Sequence, residues 1–340
     1  MLTRLFAAMV VIAGFCSLMA YGQSQFTNYT RLSPNTKAGL GASAVNFNGT
    51  VYLAMKGMGN DNFYLSSTTD GIHVATTSRS DGEFGLLNFA PSLAVYKNTL
   101  YAAFVDGYAH VYITKSSGGD ASSFSTPSRI YQPGTFGNTL WPDGSPTLAV
   151  VGNYLYLFFV LVDETDGNQI QSMYFDGTSW HGPGPCAYTP ASVSTGATDH
   201  AAVGVAAFNN KLYVGMQIGS STTANTLTVC SSTGISNKGT FKNYPSIHPE
   251  GGISAATWDN DLFFGFKGNT GSNYLNLLLS GDGVNFSSIV FDGNQTNYPI
   301  RINGTTGYEI APSLVPFDSQ LWIFYTSNDN THYLYEVSSW

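Results

Sequence analysis

Acidic side chains gather in two sets of polar segments that separate the apolar stretches of this chain. One set carries Glu83, Asp143, Asp199, Glu250 and Glu309, and the other carries Asp61, Asp106, Asp163, Glu164, Asp166 and Asp329. Two carboxyl groups at a suitable separation hydrolyse a glycosidic bond, because one donates a proton while the other attacks the sugar or activates water. The first set, Glu83, Asp143, Asp199, Glu250 and Glu309, therefore supplies the candidates for a catalytic pair.

The same oxygen-rich segments have two other interpretations. Ca²⁺ prefers oxygen ligands, so it is the one ion that these residues suit. The densest segment, Asp163-Glu-Thr-Asp166-Gly167, matches no ligand spacing well. Solvated loops also collect acidic residues without any chemical role, and we prefer that simpler explanation. We accordingly predict no bound cofactor and no catalytic residues, and keep the carboxylates as the alternative.

The elements that must position these residues form a sixfold repeat. Each copy has an apolar residue, a turn pair and then an aromatic residue; the closing aromatics are Tyr52, Tyr101, Tyr156, Tyr213, Phe263 and Trp322. They recur at intervals of about 50 to 60 residues, and a long period built from short strands is typical of a β-propeller. The predicted fold class is therefore all-β, a six-bladed β-propeller.

Each repeat begins with a predicted β-hairpin. Turn pairs such as Asn48-Gly49, Asn209-Asn210 and Asp259-Asn260 tolerate the positive φ that a two-residue hairpin loop requires. The strand after the turn is apolar at successive positions, as in Leu155-Tyr-Leu-Phe-Phe-Val160, which indicates burial of both faces. Neighbouring blades of a propeller bury their strands in this way.

The last repeat stops before its own fourth strand. Ser338-Ser-Trp340 aligns with Thr178-Ser-Trp180 of the third repeat, and residues 26–32 form an extra strand-like segment before the first repeat. We therefore expect residues 26–32 to complete the last blade and close the ring, which removes an open sheet edge. A disordered N-terminal tail is the alternative.

Residues 1–22 have the pattern of a secretory signal peptide. Arg4 supplies the positive charge, residues 5–19 form the apolar core, and Ala20-Tyr-Gly22 fits a cleavage site. The core is too short to span a membrane. We expect residues 23–340 to form one propeller domain that is secreted, either extracellular or periplasmic. Cys186 and Cys230 fall in consecutive repeats, so a disulfide bridge and two buried free thiols are both open.

Composition excludes one class of partner. Charged residues make up 10% of the chain, the net charge is −8, and there is no basic run. Binding to nucleic acid needs a concentration of Lys and Arg, so it is not expected. No further stretch reaches the length of a membrane span without polar breaks. Gly residues are abundant and aromatic residues reach 14%, which is typical of an extracellular β protein with a neutral surface.

Three turns that follow predicted third strands contain an Asp-Gly pair, namely Asp70-Gly71, Asp176-Gly177 and Asp282-Gly283. They loosely resemble the Asp-box of sialidases and other propellers, in which the carboxylate caps backbone N–H groups of a turn. We predict a structural role for them. Sialidases surround the substrate carboxylate with three arginines and carry a Phe-Arg-Ile-Pro motif near the start. Residues 23–340 contain only Arg31, Arg79, Arg129 and Arg301, and they lack that motif. Sialidase activity is therefore not expected.

The phrase Pro91-Ser-Leu-Ala, followed by Asn98 and Leu100-Tyr-Ala-Ala-Phe104, resembles the repeats of bacterial and fungal propeller lectins, including the fucose-binding PLL type. The resemblance lies in scaffold positions, and those lectins commonly have seven blades. It implies sugar binding in clefts between blades, with an aromatic ring stacked on the sugar. The ligand-binding candidates are Trp141, Trp180, Tyr308, His200 and His248. A tryptophan of a propeller also commonly packs in the rim or core.

These observations lead to one expected function and two alternatives. We expect a secreted, lectin-like β-propeller that binds glycans or glycoconjugates and is not an enzyme. The first alternative is an extracellular glycan-cleaving enzyme, a glycoside hydrolase or sialidase-like protein, that uses carboxylates of the polar segments. The second is a propeller that binds proteins through a broad apolar patch.

Overall fold

The computed structural model of the chain describes residues 26–32, 38–57, 59–75, 84–117, 121, 123–135, 140–162, 168–187, 202–219, 226–235, 239–268, 275–289, 311–326 and 333–339. Within these ranges every secondary-structure element is a β-strand. A helix long and apolar enough to cross a membrane does not occur in the same ranges. The predicted signal peptide at residues 1–22 lies outside them.

The strands form six antiparallel sheets, which are the blades. Blade 1 contains β2 (Ser43–Phe47), β3 (Thr50–Lys56) and β4 (Phe63–Thr68). Blade 2 contains β5 (Ser92–Tyr96), β6 (Thr99–Val105), β7 (Val111–Lys115) and β8 (Ser128–Tyr131). Blade 3 contains β9 (Trp141–Pro142), β10 (Thr147–Val151), β11 (Tyr154–Val162), β12 (Gln169–Phe175) and β13 (Trp180–His181).

The other three blades follow the same plan. Blade 4 contains β14 (Gly204–Phe208), β15 (Lys211–Ile218), β16 (Thr226–Ser232) and β17 (Thr240–Tyr244). Blade 5 contains β18 (Pro249–Trp258), β19 (Asp261–Gly268), β20 (Leu275–Ser280) and β21 (Ser287–Ile289). Blade 6 contains β22 (Ser313–Phe317), β23 (Gln320–Thr326) and β24 (Leu334–Ser339), together with β1 (Phe26–Arg31).

The first strand of each hairpin is the innermost strand of its blade, and these strands form a closed circle. β2 packs on β5, β5 on β10, β10 on β14, β14 on β18, β18 on β22, and β22 again on β2. The predicted all-β fold, a six-bladed β-propeller, is confirmed.

The N-terminal strand closes the ring, as predicted. β1 is the outermost strand of blade 6 and pairs antiparallel with β24, from Phe26 opposite Ser339 to Arg31 opposite Tyr335. The pairing continues one residue further, because the N–H of Leu32 donates to the carbonyl of Leu334 at 3.0 Å. Residues 26–32 are therefore a structural part of the last blade and not a disordered tail. This pairing of β1 with β24 is called the clasp below.

The turn pairs adopt the predicted backbone conformation. Both residues have positive φ in the hairpin turns at 48–49, 97–98, 209–210, 259–260 and 318–319. Asn48 has a φ of 53° and Gly49 a φ of 76°, for example. Such turns match the right-handed twist of the strands that they join, which explains why Asn, Gly and Asp recur there.

Each junction between blades contains its own apolar cluster. Blade 2 illustrates the alternation, since Phe104 belongs to the cluster shared with blade 1 whereas Val105 belongs to the cluster shared with blade 3. The junction of blades 3 and 4 also contains a disulfide between Cys186 and Cys230, both fully buried. The bridge that the sequence left open is thus present.

Hydrogen bonds join the inner strands of neighbouring blades at five junctions around the central channel. The Oγ of Ser313 in blade 6 accepts from the N–H of Ala44 in blade 1 at 2.8 Å. Ser43 Oγ then accepts from the N–H of Leu93 at 2.9 Å. Ser92 Oγ accepts from the N–H of Leu148 at 2.9 Å. Three successive junctions therefore use the same donor and acceptor positions.

Two further junctions are joined by hydrogen bonds of other groups. The hydroxyl of Thr147 donates to the carbonyl of Val203 at 2.8 Å, and the N–H of Ile253 donates to the carbonyl of Ala202 at 3.0 Å. The channel inside has a cavity volume of about 120 Å³ and is lined by small and uncharged residues. The residues that line the channel include no charged and no aromatic side chain, so they offer a ligand neither an ion pair nor a ring to stack on.

Removal of one of these serine hydroxyls should weaken the ring. Ser92→Ala leaves the N–H of Leu148 without its partner at a buried junction, and an unsatisfied buried donor costs about 1–3 kcal/mol. We expect the free energy of unfolding, measured by urea denaturation, to fall by that amount. Ser288→Ala, on the exposed outer strand β21, is the matched control and should change stability little. Equal effects of the two substitutions would contradict the stabilising role of these serine hydroxyls.

Candidate functional site

A cleft with a volume of about 530 Å³ lies between blades 1 and 2. It is on the loop face, defined as the face that carries the connections between blades and the loops between second and third strands. Three segments line it: the connection at 84–86, the β6–β7 loop with its flanking strands, and residues 126–127 before β8. This cleft is called the 1/2 cleft below.

Backbone hydrogen bonds hold the connection against the loop. The N–H of Leu87 donates to the carbonyl of Asp61 in blade 1 at 2.7 Å, and the N–H of Asn88 donates to the carbonyl of Val105 in blade 2 at 3.0 Å. Leu87 also forms an isolated β-bridge with Asp106. These hydrogen bonds attach the connection that lines the 1/2 cleft to blade 1 and to blade 2.

Four of the ten residues that line the cleft are aromatic, namely Phe84, Phe104, Tyr108 and Tyr112. Phe84 stacks on Phe63 of blade 1 with ring centroids 5.0 Å apart and meets Phe104 edge to face at 5.2 Å. Tyr112 stacks on the other side of Phe104 at 5.5 Å. At the mouth, Tyr108 is 77% exposed and Leu86 is 60% exposed. The cleft therefore offers rigid, apolar surfaces to a ligand, with two large side chains open to solvent.

A buried carboxylate shapes the loop that carries Tyr108. Asp106 is only 8% exposed, and its Oδ1 accepts from the N–H groups of Tyr108 and His110, each at 2.9 Å. Its Oδ2 lies 3.3 Å from Nδ1 of His110. Aspartate commonly fixes turns by accepting from the N–H two residues on. Asp106 thereby sets the position of Tyr108 and places one negative charge at the cleft floor.

The phenol of Tyr112 is a neutral hydrogen-bonding group. Burial raises the pKa of Tyr112, and the charge and hydrogen bond of Asp106 raise it further, while Arg129 acts in the opposite direction. At neutral pH this phenol is therefore protonated, and it can both donate and accept hydrogen bonds.

The ligand-binding candidates from the sequence lie in different places. Trp141 is 55% exposed on β9, at the loop-face end of blade 3, where it pairs with Val162. Trp180 stacks on Phe175 at 5.4 Å, so one face of its indole is covered within blade 3. His248 is exposed in the connection between blades 4 and 5. Tyr308 and His200 lie outside the described residues, and their roles stay predictions.

Two of the five candidate catalytic carboxylates lie in the described part of the chain. Asp143 follows Trp141 in the connection before blade 3 and is partly buried. Glu250 begins blade 5, and its Oε2 lies 3.4 Å from Nζ of Lys267, an ammonium group that is almost fully buried. Glu250 thus balances a buried charge. Glu83, Asp199 and Glu309 lie outside the described residues, as does the segment 163–167 considered for Ca²⁺.

The described residues contain no group of three or more His, Cys, Asp and Glu side chains that could hold a metal ion.

Sequence reasoning missed the residues of the 1/2 cleft as a site. Asp106 was noted only as one of many loop acids, and Phe84, Tyr108 and Tyr112 were not singled out. One signal was available, since Tyr108 follows Asp106-Gly107 in a predicted turn, where an aromatic side chain has no core to enter. The other aromatics belong to separate segments that only the ring brings together.

The Asp-Gly turns lie on the opposite face, called the hairpin face, and cap themselves as predicted. Oδ1 of Asp282 accepts from the N–H groups of Val284 and Asn285, each at 2.7 Å. Asp70 and Asp176 accept in the same way from the N–H groups two and three residues on, at 2.7–2.9 Å. These carboxylates therefore serve their own turns.

Each of these turns rests on the preceding blade. A Cβ at Gly71 of blade 1 would overlap the Trp322 ring of blade 6, and a Cβ at Gly283 of blade 5 would overlap Tyr213 of blade 4. A Cβ at Gly177 of blade 3 would likewise overlap Lys97 of blade 2. All three glycines have positive φ. The Asp-Gly turns therefore clamp blade 1 to 6, blade 3 to 2 and blade 5 to 4.

No family model matches the chain, and no curated protein matches its sequence. Solved structures share its fold. An α-L-arabinanase from Penicillium chrysogenum, complexed with arabinobiose, superposes with a TM-score of 0.65 and 11% identity, over 92% of this chain and 98% of that chain. A six-bladed fungal lectin from Aleuria aurantia, described with a fucose recognition mode, gives 0.57 and 11% identity, over 88% and 90%.

A Hadza microbial sialidase gives a TM-score of 0.57 and 13% identity, over 94% of this chain and 66% of that chain. Identities this low show a common fold. The predicted resemblance to propeller lectins and sialidase-like propellers is thus confirmed at the level of architecture, while the PLL type in particular stays a prediction.

The capped turns should make the protein sensitive to acid. Hydrogen bonds lower the pKa of Asp70, Asp176 and Asp282, chiefly from the His73 side chain, the Thr178 hydroxyl and the Asn285 N–H respectively. A carboxyl with a lowered folded pKa stabilises the fold above its unfolded pKa of about 4 and loses this contribution as pH falls further. We expect the free energy of unfolding to drop between pH 5 and pH 2.5.

Replacing the three aspartates together by asparagine should make that drop smaller, as measured by urea denaturation at both pH values. Asp318→Asn, in a hairpin turn on the same face, is the matched substitution. An undiminished loss of stability in the triple variant would show that the turns do not carry the acid sensitivity.

Proposed function

We propose that this chain is a secreted six-bladed β-propeller that binds glycans without transforming them, and that the 1/2 cleft is one of its binding sites. The observation that carries the proposal is the pairing, in one cleft, of exposed and stacked aromatic rings with a fixed carboxylate. Pyranose and furanose rings have apolar C–H faces and hydroxyl edges. Aromatic faces complement the former, and oriented polar groups complement the latter.

The chemistry of the cleft favours a neutral sugar. Tyr108 offers an exposed ring at the mouth, and Tyr112 offers a neutral hydroxyl deeper in the cleft. Asp106 accepts hydrogen bonds and repels anions, and the chain as a whole carries a net charge of −8. An acidic sugar would bring a second negative charge to a floor that already has one. Neutral hexoses or pentoses are therefore the expected ligands.

The structural neighbours support the proposal without assigning a ligand. One is described with arabinobiose bound, one with fucose recognition, and one as a sialidase. Each of these descriptions concerns a carbohydrate. Proteins with this ring architecture thus include both binders and enzymes, and the choice between them has to come from the site.

Catalysis by loop-face carboxylates is the second candidate function. Asp143 lies beside the exposed Trp141, which is the combination of acid and aromatic platform that a glycosidase also uses. The pairing of Glu250 with Lys267 argues against a free acid at that position. Binding is preferred, because the 1/2 cleft is formed by aromatic surfaces and its carboxylate is occupied by the turn that it fixes.

Export to an extracellular or periplasmic space is part of the proposal. The signal-like residues 1–22 motivate it, and the Cys186–Cys230 disulfide is the kind of bond that persists in an oxidising compartment. N-terminal sequencing of the protein recovered from the secreting host tests it. A mature N-terminus near residue 23 is expected, and retention of residues 1–22 on the recovered protein would contradict it.

The proposed function is tested by a glycan array with residues 23–340, run with and without a chelator, together with an assay for sugar release from polysaccharides. We expect binding to neutral glycans that the chelator does not change, and no release of sugar. Release that Asp143→Asn abolishes would reverse the preference in favour of the hydrolase.

Truncation of the exposed cleft tyrosine should weaken binding. Tyr108→Ala removes the ring but keeps the backbone N–H that Asp106 accepts, so the loop should stay in place. Loss of one stacked aromatic contact of about 1.4 kcal/mol corresponds to roughly a tenfold rise in Kd. Phe241→Ala, at a partly exposed aromatic residue on the rim of blade 4, is the matched control. Unchanged affinity in Tyr108→Ala would remove the 1/2 cleft from the proposal.

A further inference from the structure

Blade 6 contains a carboxyl group at a position that the other blades fill differently. Glu336 lies on β24 directly opposite Phe324 of β23. The same register position on the third strand of blades 1 to 5 is occupied by Leu65, Ile113, Ser172, Val229 and Leu277. The blade architecture therefore does not require an acid here. Glu336 is the acidic exception, and it lies in the blade that closes the ring.

Glu336 lies where the N-terminal strand β1 pairs with β24. Its partner on β1 is Thr30, in the pairing that joins the N-terminal strand to β24. Phe324 and Trp322, on the same face of blade 6, belong to the apolar cluster that blade 6 shares with blade 1. Glu336 is 2% exposed. The carboxyl is thus enclosed between the closing strand and two blades.

Among the described residues, the carboxyl group of Glu336 finds only part of the hydrogen bonds that it can make. Thr30 provides a side-chain hydrogen bond. In the described part of the chain, Oε2 of Glu336 has no hydrogen-bond partner, and neither has Oγ1 of Thr326, which is buried two residues after Phe324 on β23. A carboxylate buried without compensating hydrogen bonds or a counter-charge is strongly disfavoured relative to the neutral acid. The surroundings of Glu336 therefore favour its protonated carboxyl group over the ionised form.

The charged and titratable groups on the elements packed against Glu336 are engaged elsewhere. They are Arg31 on β1, Lys56 on β3, Tyr64 on β4, and Asp70 with His73 in the turn beneath Trp322. The guanidinium of Arg31 lies 4.5 Å over the ring of Tyr333. Lys56 bridges Asp61 at 3.1 Å, and His73 lies 2.6 Å from Asp70. Among the described residues, Glu336 has no ion-pair partner.

We propose that Glu336 makes closure of the ring dependent on protonation, so that β1 binds most tightly to blade 6 in acid and is released more readily as the pH rises to neutrality. When β1 separates, the carboxyl meets water and ionises freely. When β1 is in place, the carboxyl keeps its proton. Opening of the clasp is thereby coupled to the loss of one proton from Glu336.

The direction and range of the effect follow from the two states. Burial raises the pKa of Glu336 from 4.5 to about 7, opposed by the hydrogen bond from Thr30. With a closed-state pKa above the open-state pKa, closure is most favourable below about pH 4.5, weakens between that value and about pH 7, and changes little above it. The opening constant should therefore rise by about 70-fold between pH 5 and pH 8.

Hydrogen–deuterium exchange of the full chain tests this proposal. After correction for intrinsic exchange rates, the protection factors of the amides of 26–32 and 334–339 should fall by several tens of fold between pH 5 and pH 8. The amides of β15 and β16, in blade 4, should not. In Glu336→Gln, which keeps the shape but cannot ionise, protection of the clasp should be independent of pH and exceed that of the native chain at pH 8.

Glu336→Leu, the residue that blades 1 and 5 have at this position, provides a second variant if glutamine disturbs folding. It should likewise remove the pH dependence of clasp exchange. An equal pH dependence in the native chain and in either folded variant would overturn the proposal, as would a clasp that tightens from pH 5 to pH 8. Glycan binding at the 1/2 cleft is a separate property and decides nothing here.

Discussion

Every blade of this protein has two apolar faces, and only a closed ring covers both of them. A sheet left at an open end would expose one whole face, so no single repeat and no partial ring can account for the burial that the strands show. The junction clusters, the hydrogen bonds around the channel and the clasp all follow from that requirement. The Cys186–Cys230 disulfide adds a covalent bond at one of the six junctions.

This constraint also limits where ligands can bind. The channel lining offers no charged or aromatic side chain, and the blade faces are covered by their neighbours. The connections and loops at the two ends of the ring are therefore the expected places for a ligand. On the hairpin face, Asp70, Asp176 and Asp282 are committed to their own turns. On the loop face, the connection from blade 1 inserts Phe84 between two blades and leaves a cleft beside it. Aromatic side chains outnumber charged ones among the residues that line this cleft.

The sequence predicted those features that repeat. The recurrence of turn pairs such as Asn209-Asn210 predicted six blades. The lack of a fourth strand in the last repeat predicted that residues 26–32 complete the C-terminal blade. The capping role of Asp282 was likewise predictable, because an Asp-Gly pair determines its own turn. Each of these depends on residues that are close in sequence or on a pattern that recurs six times.

Features that occur once were not predictable in the same way. The 1/2 cleft joins Phe84, Tyr108 and Tyr112 from three segments, and no period relates them. The pairing of Cys186 with Cys230 depends on a distance between blades that spacing alone does not give. Glu336 stands in an alternating segment, Tyr333-Leu-Tyr-Glu336, where a polar residue is expected to face solvent. The closing strand and blade 1 bury it instead.

The Asp-Gly turns in blades 1, 3 and 5 give the ring a lower symmetry than its blade count. Each turn holds the blade before it, so the natural modules are blade pairs 6–1, 2–3 and 4–5, related by a pseudo-threefold axis. The chain termini fall inside the first module, because blade 6 is C-terminal and blade 1 is N-terminal. A circular permutant beginning with blade 2 and ending with blade 1 would therefore keep all three modules continuous in sequence.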